Sequence, residues 1–229
     1  MIKNSKDLLD TANGFYDYLH KHNFPFNKHG FPIFSREMFL QEWPEQIIPY
    51  KNRKHWVVGD YKKTLLCFYT PDRNIYPMLE KTAEEIDEYK KYMGCIFCDL
   101  TVTWDLPPKM QEYLILVNHL HAAFLATKGI KLVANLRIGS EHSSKCLAGI
   151  PANVMCASGF LGCDLLKSEY DFSFIRKVMQ VLPSKLIIYG KEDKIASKQL
   201  GSNGINYRYY GDYNMQRNKK AIMLILHKT

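Results

Sequence analysis

The sequence predicts an α/β fold built on a mostly parallel sheet, and three observations carry that prediction. Short apolar runs bounded by turn residues recur along the chain, as strands buried on both faces require. Two of them are Leu132-Val133-Ala134, which runs into Asn135-Leu136-Arg137, and Val154-Met155-Cys156-Ala157, which runs into Ser158-Gly159. Helical periodicity fills the intervals between such runs, and alternation at this rhythm is the mark of βαβ units. The count of about six to eight strands allows a complete or partial (β/α) barrel, ranked slightly ahead of a doubly wound sheet.

Taken in order, residues 1 to about 23 carry an amphipathic pattern (Leu8, Leu9, Phe15, Tyr18, Leu19) that suits one helix. Phe24-Pro25-Phe26 through Phe31-Pro32-Ile33-Phe34 follows, where the prolines forbid a continuous helix and predict an extended arm. Its phenylalanines suit core packing or a partner surface, and core packing is the expectation. Ser35 is placed to cap a short helix through Phe39, Leu40 and Trp43, stopped by Pro44 and Pro49. Residues 1–54 therefore read as a helical and irregular arm packed on a core domain of residues 55–229.

In the core, His55–Asp60 and Thr64–Thr70 read as strands, the second closed by Pro71-Asp72. A helix over about residues 75–92 precedes the strand GCIFCDL, and a long helix runs from Pro107 or Pro108 to Lys128, stopped by Gly129. Beyond the central segment, Phe172–Leu182 is a predicted helix, Lys185–Tyr189 a strand and Lys191–Leu200 a helix. Tyr207–Tyr210 and Ala221–Leu226 are predicted final strands, the latter antiparallel or on an edge.

A chain of 229 residues, 46% hydrophobic and 13% aromatic, supports one sizeable core. No apolar run reaches the roughly 18 residues that a membrane span needs, and the first residues lack the apolar segment of a secretory signal, so a cytoplasmic location is expected. The net charge of +8 points to an anionic partner, with nucleic acid ahead of a membrane surface or a phosphorylated ligand. The basic residues are nonetheless dispersed, clustering only at Lys51–Lys54, Lys90-Lys91 and Arg217–Lys220, and most such surplus is solvated surface. Six cysteines in a cytosolic chain predict reduced, buried thiols. Cys95 and Cys98 form a CxxC inside a predicted strand, where two residues three apart point to opposite faces and grip one metal poorly; Cys163 and His142 are the other zinc candidates, and no zinc set is assigned.

The polar residues that end the predicted strands are the candidate site. Asp72 follows LLCFYT, Asp99 follows CIFC, Asn135 and Arg137 follow LVA, Ser158 follows MCA, and Tyr189 precedes Gly190. If the strands are parallel neighbours, these side chains share one rim, where barrels and open sheets alike bind ligands. Asp99 and Asp72 then act as acid–base groups or hold a divalent metal such as Mg²⁺ or Mn²⁺. Arg137 would grip a phosphate or carboxylate, with Asn135, Ser158 and Tyr189 completing the ligand contacts. The structural alternative is that Asp, Asn and Ser merely cap helices and turns, Asp72 above all. Ser158 lacks the GxSxG elbow, Cys146 reads as a buried small residue despite Lys145 and His142 nearby, and no GxGxxG or P-loop is present.

The succession FPIF, FYTPD, CDLT, the proline-led helix ending Lys128-Gly129-Ile130, NLRIGSE, LAGIP, ASG and IIYG resembles the phage and mobile-element family called domain of unknown function 4417, over about residues 29–211. By that resemblance Asp99 falls on the family's Pro-Asp-Phe-Ser turn, Asn135, Arg137 and Gly139 on its Asn-x-Arg-x-Gly, Gly149-Ile150-Pro151 on its Gly-Ile-Pro, and Tyr189-Gly190 on its Tyr-Gly. Departures are Cys98 for the proline, Ile138 and Ser140 for a Trp and an Asp, and Leu114–His119 in place of an Asn-x-Tyr-Arg-x-Arg run.

The resemblance implies a phage or mobile-element setting and no mechanism. Together with the charge it leads to a first expectation, an accessory protein that binds nucleic acid or a host or defence protein. The second is a barrel-type hydrolase or transferase acting on a phosphorylated or nucleotide substrate, and the third is a sponge that sequesters a small nucleotide unchanged.

Overall fold

The structure, a computed structural model, describes residues 5–56, 58–160 and 165–218. Seven strands form one sheet in the order in which they occur along the chain: β1 (Gln46–Pro49), β2 (Thr64–Cys67), β3 (Gly94–Ile96), β4 (Leu132–Asn135), β5 (Met155–Gly159), β6 (Lys185–Tyr189) and β7 (Tyr207–Tyr210). Every neighbouring pair is parallel. A doubly wound sheet needs a point where the strand order reverses, and none exists in this order. Right-handed crossovers laid always in one direction put the helices on one face and curl the sheet around the other. The outcome is a partial barrel, nearly closed, of the kind the strand count allowed.

The strands alternate between two apolar layers. Ile47, Leu65, Cys67, Ile96, Val133, Met155, Ala157, Ile187 and Tyr189 fill the barrel interior. Ile48, Leu66, Cys95, Leu132, Ala134, Cys156, Leu186 and Ile188 face the helical layer. Burial on both faces explains why these strands read as continuous apolar runs. The two ends of the sheet, β1 and β7, are joined by side chains: the Tyr210 hydroxyl donates to the Pro44 carbonyl at 2.7 Å, Gln216 Nε2 donates to the Ile47 carbonyl at 3.0 Å, and the Arg208 guanidinium lies 4.7 Å from the Trp43 ring.

The helices are α1 (Ser5–Lys21), α2 (Asp72–Lys81), α3 (Ile86–Tyr89), α4 (Pro108–Thr127), α5 (Ser173–Val181) and α6 (Lys194–Ser202). Among the described residues, no helix is long and apolar enough to cross a membrane. Helix α4 has no charged residue from Tyr113 to Thr127, because one side lies on the sheet and the other is roofed by α1 through Phe15, Tyr18 and Phe124. A helix apolar all round has to be covered all round, and α1 does the covering. Phe24, Phe31 and Phe34 of the proline-rich passage are buried in the same layer. Gly149 lets that passage approach, since a Cβ there would lie 2.1 Å from the Pro32 carbonyl oxygen.

Several elements differ from expectation, each for a physical reason. The first strand is Gln46–Pro49, inside the span read as arm; its two flanking prolines are tolerated because β1 ends the sheet and has one partner. The predicted strand His55–Asp60 is absent: Tyr50–His55 is a 3-10 turn, Asp60 caps the next turn by accepting from the Lys62 N–H at 2.8 Å, and Val57 lies outside the described residues. The helix expected from Ser35 stops after Arg36–Met38, because the Leu40 N–H donates to the Leu132 carbonyl and draws the chain out beside β4. The helix over residues 75–92 is two helices, broken where the Thr82 hydroxyl bonds the Met78 carbonyl and Glu85 turns to Arg53 and the Tyr50 hydroxyl. Cys95 and Cys98 both face the helical layer, because the strand ends at Ile96 and the alternation ends with it. Ala221–Leu226 and Cys163 lie outside the described residues.

Helix α4 also carries two buried histidines. His121 sits among Phe15, Phe68 and Tyr89, and neither ring nitrogen has a hydrogen-bond partner among the described residues; His119 packs on Phe31, Phe34 and Phe97. Burial pushes both imidazoles down to about 3. They stay neutral in the folded chain, whereas an unfolded histidine takes a proton near 6.5. The stability they contribute is complete above pH 6.5 and is lost as pH falls from there towards 3, by up to about 1.4 kcal/mol per pH unit for each. Urea midpoints of the wild-type chain should therefore drop between pH 7.5 and 5, and His121→Leu should reduce that slope; an unchanged slope would show that His121 is not the group being protonated.

A candidate ligand site at the mouth of the barrel

Because the seven strands are parallel, their carboxyl ends open on one side of the barrel. A cavity of about 420 Å³ lies there, lined by Tyr69, Asp99, Asn135, Arg137, Ser158 and Tyr189 together with the loops that follow β3 and β4 and with Lys177 of α5. Five of the six residues singled out at strand ends thus line one space. Asp72 does not: at the start of α2, its Oδ1 accepts from the Thr101 N–H at 3.0 Å and the Thr101 hydroxyl at 2.8 Å. Asp72 fastens the loop that follows β3. The two carboxylates expected to share a divalent cation do not line one cavity, and Asp72 Oδ1 is used by Thr101.

The polar groups of the cavity form a chain. The Tyr69 hydroxyl donates to Asn135 Oδ1 at 3.4 Å, and Asn135 Nδ2 donates to Asp99 Oδ1 at 2.8 Å and approaches the Cys98 carbonyl at 3.5 Å. Arg137 Nε stands 3.8 Å from Asp99 Oδ1, beyond hydrogen-bond reach, and finds no hydrogen-bond acceptor among the described residues. Both side chains retain an opening to the cavity, with 15% of Asp99 and 24% of Arg137 exposed. Burial raises the Asp99 carboxyl above the usual carboxylate range, against the opposing pull of Arg137 and of the Asn135 hydrogen bond. Burial, reinforced by the Asp99 charge, also lifts the Tyr69 phenol well above its ordinary value. Beneath them the Tyr69 and Tyr189 rings stack, centroids 5.0 Å apart and planes 24° apart. Ser158, on β5, is buried and borders the cavity, although the alternation that turns Ala157 into the barrel puts its side chain on the face of Cys156 and Ile188.

One residue that organises the site carries no sequence signal. Gln111, on the first turns of α4 and almost wholly buried, donates from Nε2 to the carbonyls of Trp104 (3.1 Å) and Leu106 (2.8 Å) and accepts at Oε1 from the Ser140 N–H (2.8 Å) and hydroxyl (2.9 Å). A single amide therefore ties the loop after β3 to the loop after β4. Gly139 makes room for it, since a Cβ there would lie 2.2 Å from Gln111 Oε1.

Other candidates fall away on similar grounds. The Cys146 thiol is buried and pushed up to about 12, first by desolvation, and so is no nucleophile; its neighbours Lys145 and His142 engage Glu112 and Ser140. Among the described residues, no group of three or more His, Cys, Asp or Glu side chains gathers to hold a metal. A larger cavity of about 580 Å³ at the opposite end of the strands is lined by Lys62, Lys90 and Lys131, but the Lys62 and Lys131 ammonium groups are bonded to the carbonyls of Lys90 and Glu37. At the mouth on the carboxyl ends, Arg137 Nε has no hydrogen-bond acceptor among the described residues.

The model of one protein family matches residues 27–209. The chain belongs to the family described as a domain of unknown function (DUF4417). Comparisons with curated proteins and with solved structures found no match. Of the residues on which the resemblance was read, Asn135 and Arg137 line the cavity, Gly139 admits Gln111, and Gly149 admits the proline-rich passage.

Replacing Gln111 by Leu keeps the bulk and removes all four hydrogen bonds. Stability should fall by about 2 to 4 kcal/mol, because the Trp104 and Leu106 carbonyls and the Ser140 N–H lose their partners. Urea unfolding of the variant measures this, and a loss under about 0.5 kcal/mol, the usual range for a featureless surface position, would contradict the role given to Gln111.

Proposed function

We propose that the mouth of the barrel binds a small phosphorylated ligand, with Arg137 gripping the phosphate and Asp99 exchanging a proton with it. The observation that carries this reading is the separation of Arg137 from Asp99. An arginine bonded to its carboxylate at 2.7 to 2.9 Å has committed up to two of its five donors, and most of its charge, to that partner. At 3.8 Å Arg137 is paired with Asp99 without a hydrogen bond, and with Nε lacking an acceptor among the described residues its guanidinium is available to an incoming anion.

The raised Asp99 carboxyl supports the same reading. A carboxyl whose affinity for its proton is raised by burial repels a phosphate less than an ordinary carboxylate does once it is protonated, and it can exchange that proton with the ligand. Asn135 orients it through the 2.8 Å bond. Whether the ligand is turned over or held unchanged depends on what Asp99 does with that proton, so analysis of the ligand after incubation separates an enzyme from a sponge.

Thermal-shift measurements with ribose 5-phosphate and other small phosphomonoesters test the proposal. A rise in melting temperature is expected for the wild-type chain and a loss of that rise for Arg137→Ala, which removes charge-assisted bonds of about 1.5 to 3 kcal/mol each. An undiminished shift in Arg137→Ala would sink the assignment. Binding to the wild-type chain should weaken as pH rises through the raised Asp99 pKa, because the ionised carboxylate then faces the phosphate. Asp99→Asn should lose that component of the pH dependence while still binding; if the two profiles coincide, Asp99 does not face the ligand.

A further inference from the structure

We propose that the phosphorylated ligand is a nucleotide, its base stacked on Trp104 and its phosphate held by Arg137. The inference rests on the mouth being a phosphate site and adds the class of molecule that fills it.

Trp104 lines the same cavity as Arg137, yet 79% of it is exposed. An indole left in water at the rim of a polar cavity is a surface waiting for a flat, apolar partner. The backbone beneath it is fixed, because Gln111 bonds the carbonyls of Trp104 and Leu106 and the Thr101 end of the same loop is fastened by Asp72. The ring is thus presented on a held frame.

The composition of the cavity then separates a nucleotide from other phosphorylated molecules. A sugar phosphate would use Arg137 and leave the aromatic surface of Trp104 uncovered. A nucleotide uses both: every base has a π face for an aromatic ring, and the phosphate meets the planar guanidinium. The volume of about 420 Å³ lies within the usual range of small-ligand pockets, which is roughly 300 to 1,000 Å³. A free nucleotide and the terminal nucleotide of a single strand present the same chemistry here, and the net charge of +8 suits either.

Isothermal titration of the full chain with adenosine and uridine 5′-monophosphates, ribose 5-phosphate and a 5′-phosphorylated adenine tetranucleotide decides the matter. At least one nucleotide probe should bind about tenfold or more tighter than ribose 5-phosphate, the advantage that base stacking confers. Trp104→Ala should erase that advantage and leave ribose 5-phosphate within about threefold of its wild-type affinity, while Trp104→Phe should keep most of it. A tetranucleotide tighter than the monophosphates assigns a strand end, and the reverse assigns a free nucleotide; either supports the inference. Ribose 5-phosphate binding as tightly as every nucleotide, or Trp104→Ala binding nucleotides unchanged, overturns the inference and leaves the phosphate site standing. If no probe binds at all, the phosphate site falls with it.

Discussion

The uniform direction in which the strands succeed one another is the constraint on which the remaining structure depends. Seven parallel strands in sequential order leave no switch point at which a crevice between sheet halves can open. The cavity lies instead at the end of the curled sheet, where residues of β4, β5 and β6 and of the turns beyond β2 and β3 line one volume. The same winding sends every crossover helix to the outside, so the interior layer has to be filled by the strands' own small and medium residues, from Ile47 round to Ile187. Tyr69 and Tyr189 close the top of that layer and form the floor of the cavity. Core and site are therefore one continuous column of packing.

Helix α4 links this column to its periphery. Most of its length is committed to burial between sheet and α1, and the cost is two imidazoles held neutral in aromatic surroundings. Its first turns do something different. Gln111 emerges where the helix passes beneath the loops, and its amide satisfies backbone groups that no strand or helix could reach. Loops after strands carry unpaired N–H and carbonyl groups as a matter of geometry, and a buried amide with two donors and two acceptor lone pairs can serve four of them at once. The shape of the mouth is set from the core outward.

The legibility of the fold in the sequence obeyed the same physics. β4, β5 and β6 were readable because burial on both faces demands unbroken apolar runs, and α4 because Pro107-Pro108 and Gly129 mark its ends. β1 was hidden, since a terminal strand four residues long tolerates Pro49 and so presents the signals of a loop. His55–Asp60 misled in the opposite sense, with enough apolar residues for a strand but no strand pairing among its described residues. At the site, Asp99, Asn135, Arg137, Ser158 and Tyr189 were legible because each stands at or just beyond the carboxyl end of an apolar run, and Asp72 holds such a position for a structural reason. Gln111 and Trp104 had no such marker. A glutamine at the start of a helix looks like any solvated residue, and a tryptophan in a loop looks like core; only Gly139, whose missing Cβ admits the Gln111 amide, left a trace in the sequence.

The electrostatics of the mouth turn on a carboxyl and a guanidinium that are close without being bonded. Had Arg137 met Asp99 at hydrogen-bond distance, the pair would have neutralised itself and lowered the Asp99 pKa, and the cavity would offer an incoming ligand nothing but hydrogen bonds of ordinary strength. Held at 3.8 Å, the arginine fails to compensate the burial of the carboxyl, which retains its proton more readily, and the positive charge stays uncancelled. The two effects reinforce each other: each increment of protonation on Asp99 removes a negative charge from beside Arg137 and strengthens the attraction of the cavity for an anion. An anion that binds raises the affinity of Asp99 for its proton in turn, because the two equilibria are linked. In the proposed phosphate site, proton uptake and anion binding would thereby be coupled through a single distance, which Asn135 helps to fix by its own bond to the same carboxylate oxygen.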